Sequence, residues 1–245
     1  MNLILDLIIQ LIRILKEIFG IFLNKMKKKA IIISLSGFKL SKDEIKLFKN
    51  YLPWGVILFS RNIKDFNQLK RLIISIKKIT KDKNYPILLD EEGGEVSRLR
   101  NILDNRLFSQ KYFGQIYENN PMIGVGIYKY YIEQMSNFFK SVGINMNTVP
   151  IADKLYRFTN SFLKNRIYSS NIKTITSLSK ICINTYKKNK ISTVIKHIPG
   201  HGLAKLDSHK KLPIINQSLN FLLNNDFKCF KENNSHFAMT AHILF

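Results

Sequence analysis

Short, nearly continuous apolar runs alternate along the chain with stretches in which apolar residues recur every three or four positions. The runs are Ala30–Ser36, Trp54–Phe59, Pro86–Leu89, Gly143–Ile151, Ser192–Ile198 and Phe237–Phe245. Each is short enough for a strand and apolar enough to be covered on both faces, as parallel strands are. Between them, Lys42–Tyr51, Asn67–Thr80, Tyr128–Val142, Ile172–Lys188 and Ser218–Glu232 carry helical spacing. Regular strand–helix alternation predicts an α/β protein, either a (β/α)8 TIM barrel or a doubly wound sheet. The barrel is favoured, because chemistry-bearing residues follow four different runs, whereas a doubly wound sheet collects them at one switch point. A dinucleotide fingerprint is missing: Gly124-Val125-Gly126 precedes a helix, but it follows no strand-like run and lacks the third glycine.

The first 25 residues follow a different pattern. Asn2, Asp6, Gln10, Arg13, Glu17, Gly20 and Asn24 fall on one stripe, with Leu, Ile and Phe filling most of the rest. This predicts an amphipathic helix over residues 1–25 ahead of a barrel domain over 26–245, with Met26 as an alternative start. The helix is long enough to cross a bilayer, but Asp6, Arg13, Lys16 and Glu17 would then lie in hydrocarbon. Weak contact with an anionic membrane surface through residues 1–29 stands beside packing on the same domain as its use.

Composition adds a question about charge. The 245 residues include 39 Lys and Arg against 17 Asp and Glu, a net charge of +22 that raises the prospect of a polyanionic partner. Of the basic residues 31 are Lys and 8 Arg, spread over almost every segment. Readers of bases and phosphates lean on the bidentate Arg fork, so no nucleic-acid partner is expected. Cys182 and Cys229 lie far apart in a chain with ample apolar residues, which predicts reduced thiols and a cytoplasmic location.

The candidate chemistry lies at the ends of the runs. Asp90-Glu91-Glu92-Gly93-Gly94 closes the third, with Arg98 and Arg100 on the next turn, a pattern open to an ion pair or a ligand-binding group. Lys196-His197-Ile198-Pro199-Gly200-His201-Gly202 closes the fifth, and Asp207-Ser208-His209 follows. A carboxylate two residues from an imidazole can accept its N–H and raise its basicity, which suits a general acid/base. A metal held by His197, His201, Asp207 and His209 is disfavoured by the neighbouring Lys196 and by Pro199 and Gly200, which prevent a helix; no metal and no cofactor are expected.

These strings resemble the family 3 glycoside hydrolases, in particular the bacterial β-N-acetylhexosaminidases of peptidoglycan recycling. K-H-I-P-G-H-G followed by D-S-H and Leu212-Pro213 is similar to that subgroup's signature. Gly55–Asn62, Asp90–Arg100, Val149–Asp153, Asn165–Tyr168 and Ala238–Ile243 resemble further family blocks, so the likeness runs from about Lys29 to Phe245. It implies a retaining hydrolase that removes terminal non-reducing β-linked N-acetylglucosamine from a glycan or muropeptide. Asp207 and His209 would be the acid/base dyad, and Asp90, Arg98, Arg166, Lys196 and His197 would hold the sugar hydroxyls through charge-assisted hydrogen bonds.

There are also departures. The family's nucleophile is an Asp in an S-D-D-L-like motif on a seventh strand, and no residue of this sequence can be given that role. Set against a (β/α)8 barrel, the chain has room for about six of the eight units. The expectation is therefore an incomplete barrel, inactive alone on 4-nitrophenyl N-acetylglucosaminide, whose remainder comes from a separately encoded carboxy-terminal fragment; an inactive homologue that still binds sugar and a basic membrane-surface protein are the alternatives. Ser34-Leu35-Ser36-Gly37 replaces acidic residues of the family, and Glu95 replaces an Arg.

Overall fold

The computed structural model describes residues 28–206 and 212–245. The predicted helix over 1–25, and Asp207 and His209, lie outside the described residues. Six strands form one sheet in chain order: β1 Lys29–Ser34, β2 Pro53–Leu58, β3 Ile87–Leu89, β4 Met146–Asn147, β5 Ser192–Ile198 and β6 Phe237–Thr240. Every neighbouring pair is parallel. The helices are α1 Lys42–Asn50, α2 Phe66–Thr80, α3 Gln110–Asn119, α4 Pro121–Val142, α5 Ser161–Lys164, α6 Ile172–Lys188, α7 Leu219–Asn224 and α8 Asp226–Lys231. Sequential parallel order with helical crossovers is that of the first six staves of a (β/α)8 barrel, here incomplete, as the alternation predicts.

Register decides what each face does, because paired residues share a face and faces alternate along a strand. Ile33, Val56 and Ile87 are in register and point toward the helices. There they join a core that includes Leu69, Leu72, Ile73 and Ile76 of α2, Phe139 of α4 and Leu178 and Cys182 of α6. The opposite face carries Ile57, Leu88 and Met146 in register. Leu88, Met146 and Val194 form a separate buried cluster on that side, covered by Trp54, Ile57 and Met239. Each such side chain withdrawn from water contributes about 1.5–3 kcal/mol.

Helix ends follow capping chemistry. Ser41 and Glu44 form a reciprocal capping box on α1, Asp65 caps α2, and Asn120 caps α4 with Pro121 in its first turn. Helix α4 thus starts at Pro121, seven residues before the expected Tyr128, and Gly124 and Gly126 lie inside it. The expected helix over Ser218–Glu232 is two, broken at Asn225. The expected fourth strand over Gly143–Ile151 pairs in the ladder only at Met146 and Asn147, with Ile151 bridging Lys196 further on. Cys182 and Cys229 are free and buried. Among the described residues no helix is long and apolar enough to cross a membrane.

Candidate active site

The inner apolar cluster predicts where the polar groups should be. Two residues beyond Leu88, Met146 and Val194, on the same face and at the carboxyl ends of β3, β4 and β5, stand Asp90, Thr148 and Lys196. They converge. The Lys196 Nζ donates to Asp90 Oδ1 at 2.5 Å and to Thr148 Oγ1 at 3.1 Å, and the Thr148 hydroxyl donates to the same carboxylate oxygen at 2.5 Å. Asp90 Oδ2 accepts from Arg98 at 2.8 Å.

On the other side of Lys196 lies Glu92, with Oε1 2.5 Å from Nζ. Arg166 grips the same carboxylate with both arms of its fork, at 2.7 and 2.9 Å. Arg98, Asp90, Lys196, Glu92 and Arg166 therefore form a continuous chain of alternating charge, three cations on two carboxylates. Lys196 is 1% exposed, and its three N–H donors are matched by Asp90, Thr148 and Glu92, which is how a buried ammonium is tolerated. Burial alone would raise the Asp90 carboxyl. The Lys196 ammonium, the hydrogen bonds from Lys196 and Thr148, and the Arg98 guanidinium outweigh that and hold it well below the usual carboxylate range.

Glu91 has a separate task. Buried beneath the turn after β3, it accepts the backbone N–H groups of Arg98 at 2.7 Å and Leu99 at 3.1 Å, and the Asn105 amide at 3.2 Å. Burial raises its carboxyl despite those donors. Its effect on the site is to fix the backbone from which Arg98 reaches Asp90.

The turn after β5 is organised by a second carboxylate. Asp153 is fully buried; its Oδ2 lies 2.8 Å from His197 Nδ1, and its Oδ1 accepts the backbone N–H of His201 at 2.7 Å and of His197 at 3.3 Å. Burial pushes the Asp153 carboxyl up, but the His197 charge and these donors bring it below its ordinary value. The His201 imidazole stands edge-on to His197 with ring centres 5.5 Å apart, and burial, more than any neighbouring charge, lowers its pKa.

The structure thus brings Asp90, Arg98, Arg166 and Lys196 into one network, with His197 beside it on the residue after Lys196. Three groups of that network were not anticipated: Glu92, Thr148 and Asp153. Thr148 was available from pleat parity once the fourth run was aligned on the third, and Asp153 from the carboxylate closing the fourth run. Glu95 accepts from Asn165 Nδ2 at 2.7 Å, so the position that differs from the family leans toward the Arg166 turn. A groove of about 1650 Å³ between α1 and α2, lined by Phe38, Leu40, Leu72 and Ile79 among others, contains none of these groups. Among the described residues no cluster of three or more His, Cys, Asp or Glu is arranged to hold a metal ion.

Fold and site define an α/β domain of the (β/α)8 type whose polar groups converge at the carboxyl ends of its strands, the face on which barrel enzymes carry their chemistry. The chain belongs to glycosyl hydrolase family 3: the model of that family's N-terminal domain matches residues 18–245. A beta-hexosaminidase of Bordetella pertussis is 28% identical over 198 residues, covering 80% of this chain and 55% of the relative. One of Psychromonas ingrahamii is 28% identical over 224 residues, covering 89% of this chain and 64% of the relative. The crystal structure of NagZ from Neisseria gonorrhoeae in complex with N-trifluoroacetyl-D-glucosamine matches with a TM-score of 0.80 at 25% identity, over 89% of this chain and 63% of that one. The chain therefore spans between half and two thirds of the length of these relatives.

Proposed function

We propose that this chain carries the sugar-binding part of a β-N-acetylhexosaminidase, holding a terminal non-reducing β-linked N-acetylglucosamine over the ends of β3–β5. The observation that carries the reading is the Arg98–Asp90–Lys196–Glu92–Arg166 chain. Asp90 can accept from vicinal sugar hydroxyls while Arg98 and His197 donate to them, and Lys196, its donors committed to Asp90, Thr148 and Glu92, keeps the Asp90 carboxylate ionised and in place. Support comes from the beta-hexosaminidase names of the relatives and from the glucosamine derivative bound to the gonococcal protein.

In this reading Asp207 and His209 are the acid/base dyad of a retaining hydrolysis, His209 protonating the leaving oxygen and then activating water. The displacement also needs a nucleophilic carboxylate, to which no residue here is assigned. The substrate class is an N-acetylglucosamine-containing glycan or muropeptide, the setting cytoplasmic peptidoglycan recycling. Calorimetric or NMR titration of the 245-residue chain with N-acetylglucosamine tests the reading. Saturable binding weakened about 10–100-fold in Asp90→Ala is expected, since a charge-assisted hydrogen bond contributes about 1.5–3 kcal/mol. Absence of binding, or binding that ignores the substitution, overturns it.

A further inference from the structure

Asp226 is a fully buried carboxylate that the site described above does not use. It opens α8, and its helix pair is tied to the segment after β4 by two contacts. The Tyr156 hydroxyl donates to Asp226 Oδ2 at 2.6 Å, and Lys154 Nζ donates to the Asn225 side-chain oxygen at 2.7 Å. The same segment begins at Asp153, the carboxylate that holds His197 and His201. Asp226 Oδ1 has no hydrogen-bond partner among the described residues.

What Asp226 presses on is the histidine turn itself. A Cβ on Gly200 would lie 2.6 Å from the Asp226 Cβ and 3.1 Å from its Oδ1, and Gly200 has φ of +143°, so the turn can seat there only as glycine. From the other side, Thr159 donates its hydroxyl to the Gly202 carbonyl at 2.7 Å. The turn from His197 to Gly202 is thus held by hydrogen bonds to Asp153 at its start and to Thr159 at its end, and the Asp226 side chain lies against its middle.

We propose that Asp226 is a positioning residue of the sugar site: its side chain, hydrogen-bonded to the Tyr156 hydroxyl and filling the space beside Gly200, sets where the turn carries His197 and His201. The position responds to protonation. Burial is the main cause that raises the Asp226 carboxyl to about 6; the Tyr156 hydrogen bond opposes it, the Asp153 charge adds to it and Lys154 opposes it. Cys229, on its own helix, also lies within its field, and burial holds that thiol neutral. Gly200 brings no titratable side chain. A neutral Asp226 leaves one polar atom without a partner, a smaller cost than an anion with an unpartnered oxygen, which is driven toward water and moves Gly200 with it.

The sugar part of the test rests on the proposed function; the backbone part does not. In the full chain, the amide resonances of Gly200 and Gly202 are followed from pH 4.5 to 8 in the wild type, Asp226→Asn and Asp226→Ala. The asparagine keeps the shape and the Tyr156 bond but cannot ionise. Expected are an inflection near pH 6 in the wild type that Asp226→Asn lacks, and displaced resonances at every pH in Asp226→Ala. N-acetylglucosamine affinity should change at least threefold across the inflection in the wild type and stay level in Asp226→Asn. An inflection that persists in Asp226→Asn belongs to a histidine and overturns the proposal, as do unmoved resonances in Asp226→Ala. If the sugar does not bind, the proposed function fails and the amide titration still decides the role of Asp226.

Discussion

Lys196 is the residue on which the site's electrostatics turn, because two buried or half-buried carboxylates share its ammonium. Replacing it by methionine fills the space but leaves Asp90 to Arg98 and Thr148, and Glu92 to Arg166. Removing one partner of a buried pair costs about 3–5 kcal/mol, so Lys196→Met should lower unfolding free energy in urea by that order at pH 7. Asp90 has a folded pKa below its unfolded one, so its contribution is present above the unfolded value and lost as pH falls through the folded one. The gap between wild type and Lys196→Met should therefore narrow as pH drops toward 3; a gap that stays constant contradicts the network as drawn. Asp226 has the opposite sign. Its folded value near 6 exceeds the unfolded 3.8, so the wild type should lose stability relative to Asp226→Asn as pH rises from about 4 to 6 and then level off. The loss across that window is at most roughly 3 kcal/mol, read from urea titrations of both proteins at several pH values.

Elements were legible where a local signal stood alone and illegible where a tertiary contact overrode it. Strand β5 runs over Ser192–Ile198 as its apolar run predicts, paired with β4 at Ser192 and Thr193 and with β6 from Val194 to Ile198 across a register shift after Lys196. Strand β4 is shorter than its run although backbone bonds flank it: the Asn145 N–H donates to the Ile87 carbonyl at 3.3 Å, the Asn145 carbonyl accepts from Ser192, and the Thr148 N–H donates to Leu89. Regular pairing starts only at Met146 because the Ile87 N–H is taken by the Asn145 side-chain oxygen at 2.8 Å, while the Asn145 amide bonds the Asn84 and Tyr85 carbonyls. Nor does apolar spacing show that Asn225 ends α7 to bond Lys154. The start of α4 is written in Asn120-Pro121, a cap followed by a helix-compatible proline, whereas apolar spacing alone places it at Tyr128, behind Gly124 and Gly126. Gly124 is there for packing, its Cα face so close to Tyr117 of α3 that a Cβ would stand 2.5 Å from the Tyr117 Cα. Asn120 accordingly ends α3 through its backbone N–H and caps α4 through its side chain. Asn120→Ala should cost about 1 kcal/mol, visible as a lower midpoint in thermal or urea unfolding, with Ser41→Ala on the capping box of α1 a similar loss. Of the site residues, those in long motif strings could be read in advance. Glu92 shares the string of Asp90, yet only the fold puts it between Lys196 and Arg166.

At the scale of the whole molecule, the sheet has a centre and two edges. All three residues of β3 are buried, and β2 and β4 pair with it on either side. By contrast β1 and β6 each pair on one side among the described residues and are largely exposed, with Ile31 at 53% and Phe237 at 36%. One ring reaches across the sheet from the β6 edge: Phe237, at the start of β6, packs on Trp54 of β2 with centres 5.5 Å apart. Opening the centre means breaking two ladders and both buried faces, whereas lifting β6 breaks one ladder and that aromatic contact, so protection should be uneven. The Val56 N–H bonded to Pro86 and the Thr148 N–H bonded to Leu89 should exchange only through global unfolding. The Ala241 N–H bonded to Ile198, on the β6 edge, should exchange at least tenfold faster through local opening. Native-state hydrogen exchange at low denaturant measures all three amides at once. Equal protection at Ala241 would mean that the β6 edge is covered in solution, because an uncovered edge strand presents unpaired N–H and C=O groups that water or another strand must satisfy.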